Sequence, residues 1–418
     1  MEKNNTTTPE KLLYSQRSQR IADAIALKEP DKIPLAPFFS CVIQNLYGSN
    51  YRNIYYDHEK AIDAVLSFYT EYPQCDAGYA PLFASGKALE LSGFNFIDWP
   101  GRPGTKVSDY SSQQVLEREV MMQDEYPELL GDFTGFLIRK YIPRMFDNIK
   151  GFEKLDFKPF AVLNTSLLTP FWNPEIEETY KLLIEIGKHS DEATASMIRA
   201  NQKLAAIGMP SMFVGATHAP YDILGDYFRG TIGIMEDLID HEDEILEACE
   251  MFADQQIQAL RYVKDFPIPD KRVFFPLHKG MDGFMSPRQY EKLYWNPLKR
   301  VMMSLIDVGV TPYIYTEGKY NSRMETLTDV PKGKVLYHFE DVDMKEAKKL
   351  FTGVACIMGN LPIAMVEFSK KEKIIDYCKY LVDTCAPGGG YIFDFNGSLE
   401  NAPRENIDAI FETFETYK

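Results

Sequence analysis

The chain has 418 residues, 45% of them hydrophobic and 25% charged, a composition that excludes a disordered or fibrous protein. Forty-five Lys and Arg against 61 Asp and Glu leave a net charge of −16, a poor basis for binding nucleic acid or anionic lipid. No apolar run approaches the roughly 18 to 20 residues of a membrane helix, Met1 to Glu10 holds no apolar signal core, and the six cysteines form no CxxC pair. A cytoplasmic protein without a disulfide framework or a cysteine-rich zinc module is expected.

Residues 1–15 read as a flexible tail, and 16–418 as a single domain, because no Gly/Ser or Pro-rich linker and no fixed repeat divides them. Apolar residues recur at helical spacing from Lys11 to Leu27, where Pro30 closes the segment, and again from Glu59 to Thr70. The C-terminal half alternates more plainly. The runs VFFPL, PYIYT, KVLYH, VACIM and YIFDF, centred near positions 275, 314, 336, 356 and 393, are each separated by about one helix. Ser286-Pro287 is an N-cap and first-turn pair for the helix to Asp307, and Lys371–Thr384 and the residues after Pro403 form later helices. Short apolar strands alternating with helices predict a parallel sheet covered by helices. A closed (β/α)8 barrel is favoured over an open sheet because no GxGxxG or P-loop follows a strand. Gly388-Gly389-Gly390 precedes its strand and reads as a tight turn.

In a parallel barrel all strands end on one face, and chemistry gathers there. His218 and Asp222 fall at such an end in ATHAPYD, His278 and Asp282 in LHKGMDGF, and Glu317 in YTEGKY. His338 and Glu340 follow in YHFED, Asn360 in IMGNLP, and Asp394 and Asn396 in IFDFNG. A single Glu at a strand end is commonly a cap or an ion pair, and a single His a satisfied structural residue. Imidazoles and carboxylates converging from neighbouring strands point instead to a metal or acid/base site. Phe38, Phe39, Tyr79, Phe83, Phe171 and Trp172 fall in loops and, with Tyr221, Tyr320 and Asn396, are candidates for a substrate pocket. Cys356 lies inside an apolar strand and Asp240 to Glu244 starts a helix, so both read as structural.

RIADAIALKEPDKIPLAP, APYDILGDYFRGTIGIMEDLIDHEDEILEAC, MSPRQYEKLYWNPLKR, GNLP, GGGYIF and NAPREN together resemble the uroporphyrinogen decarboxylase superfamily. The resemblance implies a (β/α)8 TIM barrel, here with an N-terminal helical extension. The superfamily holds porphyrinogen decarboxylases and cobalamin-dependent methyltransferases. Decarboxylases carry an Arg-Gln-Ala-Gly-Arg-like segment after the first strand, whereas PLAPFFSCVIQNLYG has no arginine. The methyltransferase branch is the better match. Its thiol-methylating members carry His-x-Cys-Gly and a further Cys at the end of the last strand. Here the first site reads Tyr315-Thr316-Glu317-Gly318, and the last strand offers Asp394 or Asn396.

Glu317 and His338 are spaced like the Glu-x20-His of the methyltransferase I components of anaerobic O-demethylases, with Met302 where an upstream Glu would stand. The resemblance implies Zn2+ on Glu317 and His338, with Asp394 or Glu340 as third ligand, and His278, Asp282 and His218 as catalytic pocket residues. A carboxylate–imidazole site is harder than a thiolate one and prefers an oxygen ligand. The expected reaction therefore moves a methyl group from a small donor, an aryl methyl ether, to the cobalt(I) of cobalamin. Nothing in the chain looks like a corrinoid-binding domain, so a separate corrinoid protein would deliver it. A homodimer is compatible with the resemblance. Three further readings stay open: methylcobalamin-dependent transfer to another acceptor, a metal-independent decarboxylase using Asp76 or Asp222, and a non-catalytic binding protein.

Overall fold

Six strands, Gly215–Ala216, Arg272–Leu277, Thr311–Lys319, Leu336–Asp341, Cys356–Met358 and Tyr391–Ile392, pair in parallel and in chain order in the computed structural model. The structure describes residues 8–157 and 165–417. Two extended segments complete the ring. Phe393 N–H donates to Pro34 O (2.9 Å), and Ala36 N–H to Phe393 O (3.1 Å). Asp76 N–H donates to Leu35 O (2.6 Å), Gly78 N–H to Pro210 O and Met212 N–H to Gly78 O (both 2.9 Å). Backbone hydrogen bonds therefore run around a closed parallel barrel of eight staves. The strands are nearly continuous apolar runs because the barrel core covers one face and helices the other.

The N-terminal helix Pro9–Ile25 seals the barrel floor. Its Ile21, Ala24 and Ile25 join Ala36, Ala77, Met212, Leu336 and Ile392 in one buried cluster. It starts at Pro9, ahead of the tail boundary expected at residue 15, because the Thr8 side chain accepts the Lys11 N–H and Pro9 fills the first turn. The turn before the last strand has φ of +75°, +73° and +69° at Gly388, Gly389 and Gly390, and a Cβ on Gly389 would lie 2.4 Å from Lys28 O. Only glycine fits that combination. Ser286 and Gln289 form a reciprocal capping box at Pro287, and the acidic stretch opens the helix Glu242–Ala259, as expected. All six cysteines are free and buried. Among the described residues, no helix is long and apolar enough to cross a membrane.

At the opposite end, the chain makes a long excursion between Tyr79 and the crossover helix Pro174–Ala206. The antiparallel pair Ile97–Asp98 and Gln114–Val115 lies in this excursion. Ser112 and Gln113, just before its second strand, form part of the wall of a cavity at the mouth.

Candidate active site

Four segments build a charged cluster on the rim. The strand Arg272–Leu277 ends in His278 and Lys279, whose backbone N–H groups both donate to Asp222, at 3.0 and 2.9 Å. Tyr294 O–H donates to the same carboxylate at 2.6 Å, and Asp222 is fully buried. Burial pushes its carboxyl above the usual range, and the neighbouring Asp226 charge adds to that. Asp222 thus fixes the strand end. It is not free to act on a substrate. Four residues on, within the π-helical turn Ile223–Arg229, Asp226 faces the imidazole: Oδ2 is 2.6 Å from His278 Nδ1. Wide turns of this kind re-aim side chains and recur at functional sites.

His218 follows the strand Gly215–Ala216. Its ring centroid is 5.3 Å from that of His278, and its Nε2 is 2.9 Å from Tyr227 Oη. Its Nδ1 is buried and has no hydrogen-bond partner among the described residues. Burial, with the His278 charge nearby, lowers the His218 pKa to about 4 and keeps the ring neutral. Burial acts on His278 in the same sense, but hydrogen bonds to Asp226 and Glu317 and the charge of Asp222 outweigh it and push the imidazole up to about 11. Glu317 Oε1 lies 3.5 Å from His278 Nε2.

Glu317 is set by a break in its strand. The register with Leu336–Asp341 shifts between Thr316 and Lys319, Gly318 has φ +83°, and its N–H donates to Glu340. The shift corrects the expected Glu317–His338 ligand pair. Glu317 lies against His278, whereas His338 is fully buried in the barrel, with Nε2 2.7 Å from Phe395 O and Nδ1 3.2 Å from Tyr313 Oη. Asp394 is also inside: Oδ1 accepts the N–H groups of Phe38 and Phe395, both at 2.6 Å, and Oδ2 is 3.5 Å from His338 Nδ1. Glu340 supports the Gly318 backbone. Asp282 accepts the Ser322 N–H and O–H and ties two loops together. Among the described residues, the side chains whose ligand atoms lie within 4.8 Å of one another are instead those of His218, Asp226 and His278. Two imidazoles and a carboxylate fit the donor set of a zinc ion: the His218 ring is already neutral, and His278 would give up its proton as the ion binds.

A cavity of about 260 Å³ opens at the mouth beside these staves. Phe38, Phe39 and Tyr79 line it together with Phe213; Phe38 stacks on Tyr79 at 4.5 Å. Its charged lining residue is Glu400, and among the described residues no cation lines it. The other proposed pocket residues lie elsewhere. Phe83 packs on His58, Trp172 is 89% exposed, and Tyr221 and Tyr320 are fully buried in the core behind the staves. Asn396 Oδ1 accepts the Ile363 N–H. Asp226 and Lys279 were missed, although Asp222 and Asp226 stand one helical turn apart in DILGD and Lys279 adjoins His278 at a strand end.

A closed parallel barrel with an imidazole–carboxylate cluster and an apolar cavity at its C-terminal mouth has the form of a barrel enzyme. Residues 188–417, more than half of the chain, match the uroporphyrinogen decarboxylase (URO-D) family, and the chain belongs to it. Its structure is similar to that of a methyltransferase from Methanosarcina mazei, with a TM-score of 0.62 and 13% identity over 96% of this chain and 98% of the other. At that identity the likeness is one of fold. No curated protein matches the sequence.

Proposed function

We propose that this chain is a methyltransferase that takes a methyl group from a small aryl methyl ether and passes it to the cobalt(I) of a corrinoid held by a separate protein. The observation that carries the reading is the pairing of a mainly apolar cavity, lined by no cation among the described residues, with an imidazole–carboxylate cluster on the same mouth. A zinc ion held by His218, Asp226 and His278, with Glu317 beside His278 Nε2, would draw electron density from the ether oxygen and make the phenolate a better leaving group. The chain's own groups do the rest. Phe38, Tyr79 and Phe213 offer aromatic faces to a ring and exclude water. Asp222 holds the backbone of His278 in place, and Tyr227 fixes the His218 ring through Nε2. Burial of every cysteine leaves no thiolate on the mouth, which favours an oxygen-bearing donor over a thiol.

The decarboxylase alternative finds less support. A polyacidic porphyrinogen needs cations, and this cavity offers Glu400. Asp76 is engaged by Arg20 and the Leu35 N–H, and Asp222 by two backbone donors and Tyr294. The test is to incubate the zinc-loaded protein with a cobalt(I) corrinoid protein and a panel of methoxyarenes while following methyl-cobalt absorbance. Methyl-cobalt should form with at least one donor and be lost in His278→Ala. Silence with every donor would leave the non-catalytic binding reading in its place.

A further inference from the structure

Lys279 is the least expected charge on the rim. It is 5% exposed, yet its Nζ reaches three partners from three other segments: Asp226 Oδ1 at 2.8 Å, Thr231 Oγ1 at 2.8 Å and Glu117 Oε1 at 3.0 Å. A buried ammonium is tolerated only when fully paired, and here all three of its donors are used. The route for its stem is made by Gly225, where a Cβ would lie 2.6 Å from Lys279 Cδ and 2.8 Å from Cε. The glycine and the lysine therefore belong to one arrangement. Glu117 belongs to the excursion, two residues beyond Val115, and its two carboxylate oxygens also accept from Thr231 Oγ1 at 2.7 and 2.8 Å. Upstream in the same stretch, Ser112 and Gln113 wall the donor cavity.

We infer that Lys279 is a positioning residue with two duties: it orients the ligand carboxylate of Asp226, and through Glu117 it holds against the rim the segment 112–117, whose Ser112 and Gln113 line the cavity. Because Lys279 occupies Asp226 Oδ1, the oxygen an ion would take is Oδ2, now 2.6 Å from His278 Nδ1, once it displaces the imidazole proton, so Asp226 is set up as a one-oxygen ligand. Because both duties run through one ammonium, the wall of the donor cavity and the geometry of the metal ligands are set together. The inference rests on the proposed metal reading, and its test is read without turnover.

Cobalt(II) titration against a chelator gives the metal affinity and the ligand-field spectrum, and amide hydrogen exchange reports on residues 112–117. Lys279→Met should weaken cobalt affinity by about tenfold or more, alter the spectrum, and speed exchange at 112–117. Lys279→Arg, which keeps charge and donors, should restore most of both. Glu117→Gln should speed exchange while leaving cobalt affinity within about twofold of the parent, and Asp226→Asn should do the reverse. Cobalt affinity in Lys279→Met equal to the parent's, or exchange at 112–117 unchanged by both Lys279→Met and Glu117→Gln, overturns the inference. Failure of the parent protein to bind cobalt would instead retire the metal reading. In that case, accelerated exchange in Lys279→Met would still support the wall duty, and unchanged exchange would overturn it.

Discussion

His278 on the rim and His338 in the barrel centre meet the same kinds of neighbour and end in opposite states. Each has a carboxylate within 3.5 Å of its Nδ1 and further oxygen partners around it. At the rim, hydrogen bonds to Asp226 and Glu317 and the charge of Asp222 outweigh burial, so the imidazole is pushed up to about 11. In the centre, burial acts without a compensating charge. It drives His338 down to about 4 and Asp394 well above the usual carboxylate range, leaving two neutral groups. The difference teaches that a His–Asp pairing does not define a site. Solvation and the third and fourth neighbours decide whether it is a reservoir of charge or a strut.

The sharpest way to break that contrast is a pair of alanine variants. His278→Ala should lower methyl transfer by about a hundredfold or more, and its stability loss should come from the lost ion pairs with Asp226 and Glu317, so that it shrinks at high salt. His338→Ala should cost about 2 to 4 kcal/mol of stability, because it strands Phe395 O and the Tyr313 hydroxyl in a dry interior and leaves a void. Activity assays and denaturant melts on both variants check this. A stable His338→Ala protein would show that the centre is not a strut.

A smaller effect separates the two by pH. Unfolded, the His338 imidazole takes up a proton near 6.5; folded, it stays neutral until about 4. Between those values the unfolded chain binds more protons, so acidification costs stability, by at most about 1.4 kcal/mol per pH unit from this group. Above pH 6.5 the contribution is constant. His338→Gln keeps a polar side chain without a titration, so its denaturation midpoint should fall less steeply from pH 6.5 to 4 than the parent's. Parallel curves would mean that His338 is already charged in the folded protein.

How much of this was legible in the sequence follows the physics of each segment. The five C-terminal staves were readable because VFFPL, PYIYT, KVLYH, VACIM and YIFDF are buried on both faces and separated by clear helices. The first two staves are short and held by few ladder bonds, so Pro34–Leu35 and Asp76–Tyr79 carry little strand signal of their own. On the rim, His218, His278 and Glu317 were readable as strand-end residues. Their grouping was not, because the shift after Thr316 decides which neighbour Glu317 meets, and no periodicity encodes it. Asp226 sits in a π-helical turn that helical spacing alone does not anticipate. Aromatic residues in predicted loops gave no direction: Phe38 and Tyr79 turn to the cavity, Tyr221 and Tyr320 to the core, and Trp172 to solvent.

The smallest expected effect bears on Asp394, the third ligand suggested by the sequence. As a neutral acid, Asp394 uses Oδ1 to accept two backbone N–H groups and turns Oδ2 toward His338 Nδ1. His338 Nε2 must donate to Phe395 O, since a carbonyl can only accept, so Nδ1 is left as an acceptor, and the Tyr313 hydroxyl at 3.2 Å is its donor. Asparagine keeps a carbonyl for the two N–H groups and is neutral like the buried acid. Asp394→Asn should therefore cost less than about 1 kcal/mol and leave metal affinity unchanged. Asp226→Asn, chemically the same change, should weaken metal binding strongly. Equal losses in the two variants, measured by denaturation and cobalt titration, would place a charged carboxylate in the barrel centre and erase the distinction between centre and rim.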